Sequence, residues 1–308
     1  MKRYAVKQLA RIAPFFMEEI TLQQLLEAGC HFGHKAERWN PKASQFIYTK
    51  KDGIHIIDLA KTKSGLESAS AFIRETVASG REVIFVGTKR QASGVVKQEM
   101  TAVGAPYFVE RWIGGFLTNW DQVKKNIQKI LSMESDRASG AWKKFPKHEQ
   151  VKMGRYLDRI KIYYAGVLNI KEVPAALVIV DIKKEDPAVR EGKRRGVPIV
   201  GIVDTNSDPT GIEYVIPAND DAVGSIQCII HYLAQAYTEG KVMWEKSNKE
   251  AEKATVSGSQ NPKTTEKPSQ EKEPKVVPVK PIVSETEKKT VKSSGSNGKR
   301  VKSKNTSG

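Results

Sequence analysis

The chain has 308 residues, enough for one or two domains with a buried core. Lysine and arginine number 51 against 35 acidic residues, a formal charge of +16, which points to polyanionic partners without choosing among nucleic acid, anionic lipid and acidic protein. The two cysteines, Cys30 and Cys228, have no metal or redox spacing and argue against a disulfide framework, and no apolar run approaches the ~18 residues that span a bilayer.

Residues 1–16 form a basic leader. Its Met1-Lys2-Arg3 start mimics a signal peptide, but Lys7 and Arg11 interrupt the apolar stretch that should follow, so secretion is not expected. Two readings of the leader stand: an additional arm that faces RNA, or translation that starts at Met17 instead.

From Thr21 to about Ala236, strand and helix alternate. A helix is expected over residues 22–28, with Gly29 and Gly33 marking a tight turn after it. Residues 46–48 and 54–57 flank Asp52-Gly53, a pair suited to a tight hairpin turn. The apolar runs at residues 83–86, 107–109, 176–180 and 199–203 read as buried parallel strands, continuous because both faces are covered. Helices are predicted between most of them, at residues 66–78, 92–103 and 186–195. A last helix begins after Asn219-Asp220-Asp221 and runs to about Tyr237. This rhythm predicts an α/β fold with a doubly wound parallel sheet.

The segment between Trp120 and Pro174 breaks the rhythm. Val123, Ile127 and Ile130 are spaced four and three; Met153, Leu157, Ile160 and Tyr164 are spaced four, three and four. The pattern predicts an antiparallel helical hairpin, a short coiled coil projecting from the sheet. Residues 121–170 hold 11 basic and 5 acidic residues, a net +6, whereas residues 1–240 as a whole carry +8. The expected organisation is therefore a leader (1–16), a sheet domain (17–120 and 171–240), an inserted hairpin (121–170) and a tail (241–308). In the tail Lys, Glu, Ser, Thr and Pro dominate and no hydrophobic period survives, so it is predicted to be disordered and basic.

Four motifs could carry chemistry. Cys30-His31-x-x-His34 has zinc-type ligands, but no second pair completes the set, and packing or stacking of the rings is the better reading. Gly87-Thr88-Lys89-Arg90 follows a strand and precedes a helix, a place where phosphates bind, yet it lacks the spacing of either nucleotide-binding loop. It supports an RNA phosphate contact better than a cofactor. In Arg111-Trp112-Ile113-Gly114-Gly115-Phe116-Leu117-Thr118-Asn119-Trp120 the glycines permit close backbone approach and Arg111 suits a phosphate or a base. Thr118 or Asn119 would cap the next helix, and the tryptophans equally suit anchoring of the hairpin. The carboxylates of residues 204–208 and 219–221 read as turns and caps rather than as a magnesium site or an acid–base pair.

These motifs resemble, in order, those of a known family. The series is residues 25–29, His31–His34, Arg38-Trp39-Asn40-Pro41-Lys42, residues 53–59, Phe85-Val86-Gly87-Thr88-Lys89-Arg90-Gln91, residues 111–120, Val203–Asn206, Asp208-Pro209 and Asn219-Asp220-Asp221. Together they are similar to the second family of bacterial small-subunit ribosomal proteins. The resemblance implies a flavodoxin-like sheet with a protruding hairpin and no enzymatic activity. It implies cytoplasmic residence at the head–body junction of the small subunit. The implied partners are small-subunit rRNA and neighbouring proteins, among them the first small-subunit protein, which recruits messenger RNA. Neither cofactor, metal nor small-molecule substrate is expected. Lys124, Lys125, Lys129, Lys143, Lys144, Lys147, Lys152, Arg155 and Arg159 are the expected phosphate contacts of the hairpin. Lys89, Arg90 and Arg111 would contact RNA from the sheet edge, and Arg38, Trp39 and Lys42 complete the RNA-binding set. The chain departs from the family at Tyr164-Ala165-Gly166-Val167, where Leu-Gly-Gly-Ile is usual. Two rivals remain: a nucleotide- or sugar-phosphate-binding enzyme using residues 87–90 and Asp204, and an adaptor whose hairpin binds a partner helix.

Overall fold

A computed structural model of the protein describes residues 20–257. The leader and the tail beyond residue 257 lie outside them. A short helix α1 (Leu22–Glu27) opens with a capping box, Thr21 and Gln24 each satisfying the other's backbone N–H. An antiparallel sheet of three strands follows, in the order β1 (Phe32–Lys35), β3 (Ile54–Ile57), β2 (Ile47–Lys51). Asp52 and Gly53, with φ of 50° and 77°, make the expected turn between β2 and β3. Strand β1 was not expected, because Phe32-Gly33-His34-Lys35 has no apolar alternation.

Helix α2 (Leu59–Ala78) leads into the main sheet. Its strands are β4 (Val83–Val86), β5 (Tyr107–Phe108), β6 (Ala176–Val180), β7 (Ile199–Val203) and β8 (Tyr214–Pro217). All pair in parallel, in the order β5-β4-β6-β7-β8. This is the flavodoxin-like order, with its switch point between β4 and β6. The fifth strand, β8, escaped the sequence reading because its four residues follow Glu213 and end on Pro217, and two are only half-buried. Alternate residues of each strand face opposite layers. Val83, Phe85, Val178 and Ile202 pack with Leu66, Ile73, Val96 and Ile230 of α2, α3 (Arg90–Val103) and α7 (Val223–Ser257). Ile84, Val86, Ile179 and Val203 pack in the layer that holds α6 (Asp186–Arg195) and the helix pair α4 (Trp120–Ser139) and α5 (Lys147–Tyr164).

That helix pair occupies the crossover from β5 to β6. Its buried stripe contains Val123, Ile127, Ile130, Leu157 and Tyr164, residues the spacing singled out. Contacts between the helices run in opposite senses: Asn126 to Tyr164 at 3.3 Å and Arg137 to Asp158 at 2.8 Å, with a Glu134–Lys161 ion pair between them. The pair is therefore antiparallel. After α5 the chain returns against β5 at Gly166, where a Cβ would lie 2.2 Å from the Tyr107 carbonyl oxygen. At that position only glycine allows the approach.

Helix α7 corrects the expected tail boundary. It runs about twenty residues beyond Tyr237, so residues 241–257 are helical. Neither Gly nor Pro interrupts residues 241–257, and Lys, Glu, Met and Ala are good helix formers. Lys241 also donates to the Val103 carbonyl at 3.4 Å, tying the extension to the end of α3. No helix among the described residues is long and apolar enough to cross a membrane.

Candidate nucleic-acid interface

The carboxyl ends of the parallel strands gather charges from segments far apart in sequence. Asp181 follows β6, Asp204 follows β7, and Asp220 and Asp221 follow β8. Lys89, from the β4–α3 loop, reaches Asp220 at 2.7 Å, Asp221 at 2.6 Å and Asp181 at 3.1 Å. Burial works against its ammonium, but the carboxylates outweigh burial and hold its pKa above the ordinary lysine value. Asp220 is buried, and one ammonium shared three ways does not offset that burial and the nearby Asp181 and Asp204. Its pKa is pushed up to about 7. His34 Nδ1 lies 3.0 Å from Asp204 and Nε2 3.3 Å from Asp221; the hydrogen bond to Asp204 raises the imidazole pKa, with burial opposing it.

The expected phosphate loop is thus differently employed. Lys89 is 13% exposed and engaged with three carboxylates, so the loop offers no free lysine to a cofactor phosphate. Gly87 serves packing: a Cβ there would lie 2.8 Å from Val96 of α3. Arg90 is exposed at the start of α3. The metal-type grouping also differs from the Cys30-His31-x-x-His34 run. Among the described residues it consists of His34, Asp204 and Asp220, whose donor atoms lie within 4.8 Å of one another and could hold a divalent cation. Asp204 and Asp220 are thus partners in a charged cluster as well as residues of turns. Neither this reach across 170 residues nor the Lys89 pairing leaves a local signal in the sequence.

Residues 111–120 form a loop closed around a carboxylate that sequence reasoning missed. Glu191 of α6 accepts from the backbone N–H of Gly115 at 2.7 Å, of Leu117 at 3.1 Å and of Thr118 at 3.4 Å, and from the Trp112 indole at 3.1 Å. Phe108, Trp112, Phe116 and Trp120 pack edge to face, with centroids 4.9–5.5 Å apart. Both tryptophans therefore anchor the start of α4. Asn119 stands at the cap position, but its side chain makes no capping bond; Glu191 meets the amides of the preceding loop. Arg111 is exposed beside this closed loop.

On the hairpin, all nine expected cations are exposed: Lys124, Lys125 and Lys129 on α4, Lys143 and Lys144 in the connecting 3-10 turn, and Lys147, Lys152, Arg155 and Arg159 on α5. None of them takes part in an ion pair among the described residues. The hairpin's two other cations, Arg137 and Lys161, are the ones spent on Asp158 and Glu134. Lys152, Arg155 and Arg159 are spaced three and four, which aligns them on the face opposite buried Leu157.

The third group lies near the strand ends. Trp39, partly exposed, stacks on His55 at 5.4 Å, and exposed Lys42 pairs with Asp208 at 2.7 Å, holding that carboxyl down at about 2. Arg38, Trp39 and Asp208 border a cleft of 630 Å³ with Lys183 and Lys193, two cations that sequence reasoning passed over. The structure thus brings Arg38, Trp39 and Lys42 together at one edge.

The family model described as Ribosomal protein S2 matches residues 25–240. The small ribosomal subunit protein uS2 of Coprothermobacter proteolyticus is 46% identical over 225 residues, 73% of this chain and 84% of the relative. That of Roseiflexus castenholzii is 43% identical over 242 residues, 79% and 90% of the two chains. The uS2c protein of Cyanophora paradoxa is 44% identical over 224 residues, 73% and 96%.

Proposed function

Because the chain belongs to the ribosomal protein S2 family, we propose that it binds small-subunit rRNA through the exposed cations of its helical hairpin. The chain is a structural, non-enzymatic protein of the small ribosomal subunit and serves translation. In the finer reading it sits at the head–body junction of the cytoplasmic subunit. The hairpin protrudes into rRNA from the α/β body, and the protein helps to dock the first small-subunit protein.

One observation carries the RNA reading. Among the described residues, the hairpin pairs Arg137 and Lys161 internally and leaves nine other cations exposed without ion pairs, an arrangement that suits a polyanion. Arg90 and Arg111 at the sheet edge, with Arg38, Trp39 and Lys42, supply a second contact. Exposed ion pairs such as Lys42–Asp208 are worth about 0–1 kcal/mol, so a phosphate can exchange for Asp208. Lys89 acts in this reading by holding its loop to the acidic cluster, not by touching RNA. Phosphate contacts position the protein and carry little sequence information, so specificity comes from RNA shape and neighbouring proteins.

Sucrose-gradient sedimentation of native lysate, before and after a high-salt wash, tests residence in the subunit. Co-migration with the small subunit that survives the wash is expected. Recovery only at the top of the gradient would refute it.

A further inference from the structure

The tip of the hairpin has a feature that phosphate neutralisation does not use. A cleft of 530 Å³ opens where the two helices meet the 3-10 turn Ala141–Lys144. Its walls are chiefly aromatic and thioether, with Trp142, Phe145, Met133, Met153 and Tyr156, and one carboxylate, Asp136, also lines it. Phe145 is 38% exposed although it is among the larger apolar side chains of the hairpin. Lys129 lies over the Tyr156 ring at 5.1 Å and Lys144 over the Phe145 ring at 5.3 Å. Lys152 also borders the cleft.

Flat π faces in a cleft where three ammonium groups outnumber one carboxylate match one ligand chemistry closely. A nucleobase stacks on aromatic rings, while the phosphates on either side of it need cations a few ångströms away. A volume of 530 Å³ is within the range of about 300–1,000 Å³ typical of small-ligand sites. We propose that this cleft receives an unstacked base from a single-stranded segment of small-subunit rRNA, with Phe145 and Tyr156 as stacking surfaces and Lys129 and Lys144 moving from the rings to the flanking phosphates. The inference rests on the RNA reading above and adds a base contact to it. An acidic amphipathic protein helix is the competing occupant. The cleft fits it less well, because all three cations stand around aromatic walls rather than along an extended groove.

The test uses the full-length protein, transcribed small-subunit rRNA and two variants, Phe145→Ala and Lys129→Gln. Phe145 is partly exposed, so its truncation should leave the helical circular dichroism unchanged; Phe145→Trp supplies a variant that keeps the stacking face. Phe145→Ala should weaken rRNA binding by about 5- to 150-fold, the loss expected for one stacked base, without changing the slope of log affinity against log salt. Phe145→Trp should restore binding. Lys129→Gln should reduce the slope by roughly 0.7–0.9. Ultraviolet irradiation of the reconstituted subunit should crosslink a base to the peptide containing Phe145 or Tyr156. Unchanged affinity in Phe145→Ala together with no such crosslink would overturn the base contact while leaving the phosphate reading intact. Loss of a neighbouring protein from the Phe145→Ala subunit, with rRNA affinity unchanged, would overturn it in favour of the helix. An absence of rRNA binding by the unaltered protein would instead bring down the reading on which the inference rests.

Discussion

Glu191 and Gly115 are 76 residues apart, yet the Glu191 carboxylate accepts the Gly115 N–H at 2.7 Å and gathers four further donors from the same loop. This one side chain fixes the loop from which the hairpin departs. Its strength comes from an ionised acceptor meeting several donors that no helix or strand would otherwise satisfy.

Replacing it should therefore be costly. Glu191→Ala leaves Gly115, Leu117 and the Trp112 indole without this acceptor, and a loss of about 2–4 kcal/mol is expected, since hydrogen bonds to charged groups contribute about 1.5–3 kcal/mol and do not add fully. Urea denaturation measures it. A loss below about 0.5 kcal/mol, the range of ordinary surface substitutions, would show that the loop is held by its aromatic cluster alone.

The acidic cluster sets a pH dependence. Asp220 has a folded pKa of about 7 against an ordinary value of 3.8, so between these limits the folded state holds a proton that the unfolded state has lost. Stability contributed there is present at acid pH and falls as pH rises from about 4 to 7. His34, also raised, acts in the same direction: its contribution is present below its unfolded pKa near 6.5 and is lost as pH rises through the folded value. In chelator-containing buffer, Asp220→Asn should flatten the decline between pH 4.5 and 6.5 and leave the later His34 decline. An identical profile in the variant would remove Asp220 as the cause.

The two cysteines make a different prediction. Contact with Cys30, with His231 nearby and despite burial, holds the Cys228 thiol below the ordinary cysteine range; the same contact, with burial, pushes Cys30 upward. Cys228 is the more exposed of the two. Iodoacetamide should thus label Cys228 with a midpoint below that of an ordinary thiol and spare Cys30 in the folded protein. Cys30→Ala should move that midpoint upward. No movement would mean that contact with Cys30 is not what lowers the Cys228 pKa.

Legibility in the sequence followed the range of the interactions. Strands β4, β6 and β7 are continuous apolar runs and were readable to the residue, as was Asp52-Gly53, whose positive φ is a property of the dipeptide. The buried stripe of the hairpin was readable because 3.6-residue periodicity is local. Strand β8 and the extension of α7 were not. In β8 the sheet overrides a weak four-residue pattern, and in α7 helix propensity and a hydrogen bond to α3 override a polar composition. Lys89 shows the same limit at the site. A lysine after a strand suggests a phosphate contact, but its partners Asp181, Asp220 and Asp221 lie 92 to 132 residues further on. Glu191, within the basic run Arg190–Arg195, gave no hint that it faces inward to the loop amides.

Whether the hairpin binds rRNA phosphates is decided by the salt dependence of rRNA binding, measured for the full-length protein and for a Lys125→Gln, Lys129→Gln, Lys152→Gln triple variant. All three lysines are exposed on the hairpin and none is ion-paired among the described residues; only the Lys129 contact with the Tyr156 ring is lost, so fold stability should fall by no more than about 1 kcal/mol. If they contact phosphate, the slope of log affinity against log salt should shrink by about 2–3 in total, roughly 0.7–0.9 for each lost contact. An unchanged slope would mean that the hairpin's exposed cations do not touch the RNA backbone, and rRNA binding through the hairpin would be refuted.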